Sequence, residues 1–104
     1  MNPQIPQLTP AQAADRTEAV ILDVREASEF AEGRIAGSTH IPLGQLPART
    51  FELDRNRPVI TVCRSGGRSS QAAQFLVDQG YDVADLAGGM TAWTAWIAGG
   101  RPTA

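Results

Sequence analysis

Apolar and polar positions along this chain follow two periods that alternate. Short apolar, β-branched runs occur at Ala19-Val20-Ile21-Leu22-Asp23, Val59-Ile60-Thr61-Val62 and Tyr81-Asp82-Val83-Ala84-Asp85-Leu86, and such runs predict buried strands. Helical spacing fills the stretches between them. Thr9-Pro10 ahead of Ala11-Gln12-Ala13-Ala14 predicts a helix start, with threonine as N-cap and proline in the first turn. Glu26 to Glu32 predicts a short helix closed by Gly33, and Met90 to Ile97 a last helix. Ser69 to Gln79 reads as an amphipathic helix with serine near its N-cap. Ser38-Thr39-His40-Ile41 predicts a short strand stopped by Pro42, whereas Gly44 and Pro47 interrupt any long helix between residues 43 and 53. Residues 1 to 6 and the tail from Gly99 to Ala104 read as loose ends. Strands alternating with helices point to an α/β fold with parallel strands. Ligands of such a sheet sit beyond the carboxyl ends of its strands. Asp23-Val24-Arg25 and Cys63 both fall at strand ends, so the two segments are expected to converge on one site.

Composition narrows the function. A length of 104 residues is that of a single domain, 1–104, with its core expected over about 8–98. The net charge of −2, with nine Arg and no Lys, argues against a general nucleic-acid binder. No apolar run approaches the roughly 20 residues that span a bilayer, and the N-terminus lacks the basic and apolar regions of a secretory signal. One Cys and one His cannot build an internal disulfide or a tetrahedral metal site. A free functional thiol suits a reducing cytoplasm.

That one cysteine is the candidate chemistry. Cys63 follows a strand and opens the run Arg64-Ser65-Gly66-Gly67-Arg68 ahead of a helix. Consecutive glycines let backbone N–H groups turn inward, and the helix N-terminus adds a partial positive charge. Arg64 and Arg68 can add more. All three effects favour the thiolate, the nucleophilic form. The bland alternative, a buried cysteine acting as a small hydrophobe, is the commoner fate of a lone cysteine, but the flanking loop speaks against it.

With these residues in view, the chain resembles a single-domain rhodanese, a thiosulfate sulfurtransferase. The likeness rests on four segments in order: Leu22-Asp23-Val24-Arg25; Gly33-Arg34-Ile35-Ala36-Gly37 leading to His40-Ile41-Pro42; Cys63 to Ser69; and Gly80-Tyr81-Asp82-Val83 leading to Leu86-Ala87-Gly88-Gly89-Met90 and Trp93. The resemblance implies a rhodanese-like fold, a central parallel sheet of about five strands flanked by helices on both faces. It implies Cys63 as the persulfide-forming nucleophile, Arg64, Ser65, Gly66, Gly67 and Arg68 as the anion-binding loop, and supporting roles for Asp23 and Arg25. It implies a small anionic sulfur donor, a cyanide, thiol or protein acceptor, and no cofactor. Arg34 stands where the family commonly has histidine, and His40 where asparagine is usual, which weakens any role attached to the family histidine.

Other residues read as structural. Trp93 and Trp96, three apart, are expected in the core. Glu26, Glu29 and Glu32 read as a solvated helix face. His40 is left out of the catalytic set, because the loop can ionise the thiol without a base. Asp23 fits a structural strand-end acid as well as a functional one. Two other readings share these elements. One is a persulfide-relay or regulatory module. The other is a cysteine phosphatase or arsenate reductase, disfavoured because Cys63 to Arg68 counts Cys-x4-Arg rather than the phosphatase Cys-x5-Arg.

Overall fold

The computed structural model describes residues 5–100. Its strands are β1 (Gln7–Leu8), β2 (Val20–Asp23), β3 (Thr39–His40), β4 (Val59–Val62) and β5 (Val83–Leu86). They form one five-stranded sheet in the order β1-β5-β4-β2-β3, with every pairing parallel. The helices are α1 (Pro10–Ala14), α2 (Ala27–Glu32), α3 (Leu46–Arg49), α4 (Gly67–Asp78) and α5 (Gly89–Ala98). The expected α/β fold, a central parallel sheet flanked by helices on both faces, is the one observed.

Strand alternation builds two cores. Leu22, Val24, Val59, Cys63 and Val83 face α3 and α4, where they pack with Leu46, Ala72, Ala73 and Leu76. Ile60, Val62, Ala84 and Leu86 take the opposite face with Ala13 of α1 and Trp93 of α5. β4 lies at the centre of the sheet and is buried at all four positions, which is why it reads as an unbroken apolar run. Ala72 and Ala73 let α4 sit close against β4, and full burial of Leu76 contributes about 2 kcal/mol. Trp93 lies in this core as expected, whereas Trp96 is half-buried against it, 5.2 Å between ring centroids.

The Thr9 cap is complete: its hydroxyl accepts the Gln12 N–H at 3.2 Å, and the Gln12 side chain accepts the Thr9 N–H at 2.9 Å. Residues 43 to 53 break into two 3-10 turns around α3, as Gly44 and Pro47 foretell. Three expectations need correction. Ile5 and Pro6 are not loose: Ile5 is buried, and the Pro6 carbonyl accepts the Asp85 N–H at 2.9 Å. The adjoining edge strand β1 has only two residues, too short for periodicity to register. At the other end Gly99 and Gly100 are tied to the Ala95 and Ile97 carbonyls, while residues 1–4 and 101–104 lie outside the described residues. α4 begins two residues early, with Gly66 rather than a serine as its N-cap. Gly33 closes α2 as expected, in extended backbone at φ 164°, a conformation open to any residue.

Gly88 and Gly89, at φ +74° and +55°, bring the first turn of α5 under the β4 end. A Cβ on Gly89 would overlap the Cys63 carbonyl oxygen and lie 2.8 Å from the Arg64 carbonyl. Gly89→Ala is therefore expected to destabilise the fold by about 2 kcal/mol or more, from steric overlap together with backbone strain. Denaturant unfolding of the variant beside the parent measures it.

Candidate active site

β4 ends at Val62, and Cys63 continues its alternation, so the sulfur turns toward α4. The residue is 1% exposed. The chain then wraps back over the sulfur before α4 starts, with Gly66 at φ +130°, where a side chain would be strained. This turn aims the Gly66 N–H at Cys63 Sγ, 3.0 Å away. Ser69, fully buried in the first turn of α4, has its hydroxyl 3.3 Å from both Sγ and the Gly66 carbonyl. It accepts from the thiol when sulfur is protonated and donates to the thiolate when it is not. Burial pushes the thiol pKa up, but the Ser69 hydroxyl and the backbone donors of Ser69, Gly66 and Ser65 outweigh it. The thiol is therefore more acidic than an ordinary cysteine.

The carbonyl side of the same segment is held from below. Met90 N–H donates to the Cys63 carbonyl at 2.8 Å, and Thr91 N–H to that of Arg64 at 3.1 Å. The first turn of α5 thus supplies partners for backbone oxygens that would otherwise compete for space around the sulfur. The Gly66 carbonyl accepts the Ser70 hydroxyl at 2.7 Å, and that hydroxyl lies 3.4 Å from the buried Asp85 carboxylate. Asp85 also accepts from Thr61 at 3.0 Å.

The two arginines of the loop differ. Arg64 is exposed, and among the described residues no acid pairs with it. Arg68 makes a bidentate pair with Glu29, at 2.6 and 2.9 Å. Glu29 is therefore no solvated helix-face residue: Arg68, and next the Glu26 N–H, lower its carboxyl from 4.5 to about 2. Asp23 and Arg25 form a buried pair, 2.7 Å at the shortest contact. Arg25 also donates to the Glu29 and Gly33 carbonyls at 3.2 and 2.7 Å. It braces α2 rather than reaching the sulfur, so the two strand ends meet through α2. His40 stacks on Phe30 at 4.3 Å and donates from Nε2 to the Arg25 carbonyl at 2.8 Å. The Arg34 guanidinium also lies against the Phe30 ring, 4.6 Å from its centroid. Beside the loop runs a cavity of about 680 Å³ lined by Glu29, Arg34, Arg64, Met90, Trp93 and Ile97.

The model of the rhodanese-like domain matches residues 9–95. This chain belongs to the rhodanese family. A sulfurtransferase of Allochromatium vinosum is 40% identical over 81 residues, covering 77% of this chain and 76% of that protein. The thiosulfate sulfurtransferase GlpE of Stutzerimonas stutzeri is 39% identical over 84 residues, covering 80% and 77%. A crystal structure of a rhodanese-related protein from Thermoplasma volcanium superposes with a TM-score of 0.83 at 32% identity, covering 93% of this chain and 95% of that one. Relatives of this likeness make sulfur transfer the class of chemistry for this rhodanese. No described helix is long and apolar enough to cross a membrane.

Sequence reading placed Cys63 and its loop together but missed Ser69 and Glu29 as partners. Ser69→Ala is expected to move half-maximal alkylation of Cys63 about one pH unit higher, since a hydrogen bond to a charged group is lost. A pH series of iodoacetamide rates checks it. The Glu29 carboxyl is depressed on folding, so its stabilisation is complete above pH 4.5 and lost as pH falls toward about 2. The difference in melting temperature between parent and Glu29→Gln should hold steady down to about pH 5 and then vanish toward pH 2.

Proposed function

We propose that this rhodanese moves sulfane sulfur from thiosulfate or a similar anionic donor to cyanide or a thiol through a persulfide on Cys63. The observation that carries this reading is a buried lone thiol held acidic by inward-facing N–H and hydroxyl donors. The Cys63 thiolate attacks the outer sulfur of the donor. A new S–S bond forms, the donor's S–S bond breaks, and sulfite leaves with the bonding pair. The acceptor then attacks the outer persulfide sulfur and Cys63 leaves as thiolate. Donor, thiolate and acceptor balance the reaction, which is covalent catalysis in two displacements.

In this reading the amides from Ser65 to Gly67 and the Arg64 side chain hold the donor anion, and later the persulfide. Arg68 is held by its pair with Glu29, which lines the cavity beside the loop. Asp23 and Arg25 support the site by fixing α2. A reducing cytoplasm is the compartment that fits the free thiol. A relay in which a protein donates or accepts the sulfur uses the same pocket. The cavity of about 680 Å³ beside Arg64, lined also by Met90 and Ile97, favours acceptors larger than cyanide. With Arg68 engaged by Glu29 and only four residues between Cys63 and Arg68, phosphoryl transfer is the poorer fit.

Thiosulfate should add one sulfur, about 32 Da, to the parent and nothing to Cys63→Ser, which should also lose turnover. Intact mass spectrometry followed by a panel of acceptors measures both. Turnover retained by Cys63→Ser would refute the assignment, and sulfur released only to protein acceptors would favour the relay.

A further inference from the structure

Arg68 lies in the first turn of α4 beside Ser69, whose hydroxyl is 3.3 Å from the Cys63 sulfur, yet its planar fork is engaged by Glu29 at 2.6 and 2.9 Å. The carboxylate is itself anchored. Its Oε1 accepts the Glu26 N–H at 2.9 Å, and α2 is tied to the sheet end by Arg25 through two carbonyls. A guanidinium satisfied bidentately presents little net charge to a third ion. The donors left for an incoming anion are the loop amides and Arg64.

We propose that Glu29 is a positioning residue that sets the charge of the preferred sulfur donor. By holding Arg68 it lowers the preference for a dianionic donor such as thiosulfate, relative to a monoanionic donor such as an alkyl thiosulfonate. The inference rests on the sulfur-transfer reading. Both donors undergo the same displacement: Cys63 sulfur bonds to the sulfane sulfur, the donor's S–S bond breaks, and sulfite or sulfinate leaves with the electron pair. The two differ by one charge at the leaving end. The ratio of their kcat/KM values therefore reports the charge of the site, while damage to the thiolate lowers both values together.

Four proteins test it: the parent, Glu29→Gln, Arg68→Gln and the double variant. The side-chain amide oxygen of the Glu29→Gln variant can still accept the Glu26 N–H, so the start of α2 keeps its cap. Glu29→Gln should raise the thiosulfate-to-thiosulfonate ratio about tenfold, chiefly through a lower KM for thiosulfate, because Arg68 regains an uncompensated charge. The gain should shrink as salt is added. Arg68→Gln should lower the ratio, because it leaves the Glu29 carboxylate unpaired beside the donor. The double variant, which replaces an ion pair by a neutral pair, should return within about threefold of the parent. A pair that only holds the loop in place would depress both donors equally in each single variant and leave the ratio unmoved. That result, or a fallen ratio in Glu29→Gln, overturns the inference, and Arg68→Gln decides it independently should Glu29→Gln not fold. A parent protein that gains no sulfur mass from either donor sinks the sulfur-transfer reading and this inference with it. An adduct with an unmoved ratio sinks the inference alone.

Discussion

The site depends on the direction in which a few peptide groups point. A buried thiolate needs N–H donors around it, and a chain leaving a strand offers carbonyls as readily as N–H groups. The contest is settled by α5. Its first turn takes up the Cys63 and Arg64 carbonyls, which leaves the opposite edge of the segment free to turn its N–H groups over the sulfur. That approach is possible because position 89 carries no Cβ. Gly66, at φ +130°, makes the second half of the turn. Two glycines 23 positions apart in the sequence thus answer one geometric demand.

Charged contacts hold the surroundings of the loop, and they differ in strength. Asp23 and Arg25 are both buried, with five hydrogen bonds from the Arg25 side chain shared among Asp23 and two carbonyls, in addition to its own backbone donor. Removing either partner would strand a buried charge, at about 3–5 kcal/mol. Glu29 and Arg68 are partly exposed, at 23% and 33% of their side-chain surface. Solvent screens that pair, and its worth to stability is nearer ~1 kcal/mol. The first pair is architecture, while the second is weak enough to be tuned without endangering the fold.

The sheet and its helices were legible because their signals are local. β2, β4 and β5 are four-residue strands rich in apolar residues, and Thr9-Pro10 writes a helix start in consecutive letters. The cysteine loop was legible for the same reason, since sulfur, glycines and helix start are contiguous. What escaped depends on distance. β1 has two residues and exists by pairing with β5. Glu29 sits 39 positions from Arg68, and three glutamates at near-helical spacing look like a wet surface until the fold brings an arginine to one of them. Ser69 was visible as a helix residue, but its contact with the sulfur follows from the Gly66 turn, which advances the helix start by two residues.

A reactive thiol is best activated in moderation. Lowering its pKa raises the thiolate fraction but weakens the thiolate as a nucleophile, so the most effective attacking sulfur titrates near ambient pH. A free guanidinium in contact with the sulfur would lower its pKa further and weaken it as a nucleophile. In the proposed two-step transfer it would also favour the leaving form of Cys63 when the persulfide is attacked, while resisting the first displacement. Neutral donors suit both steps. The Gly66 N–H and the Ser69 hydroxyl stabilise a negative sulfur at 3.0 and 3.3 Å, and Ser69 can reverse its hydrogen bond when the sulfur is protonated. Cys63 is thus kept acidic by dipoles against the opposing effect of its own burial, while the guanidinium beside it is occupied by Glu29. The pairing of Arg68 belongs to the same logic as the turning of the peptides: it sets a carboxylate against the one guanidinium in the first turn of α4.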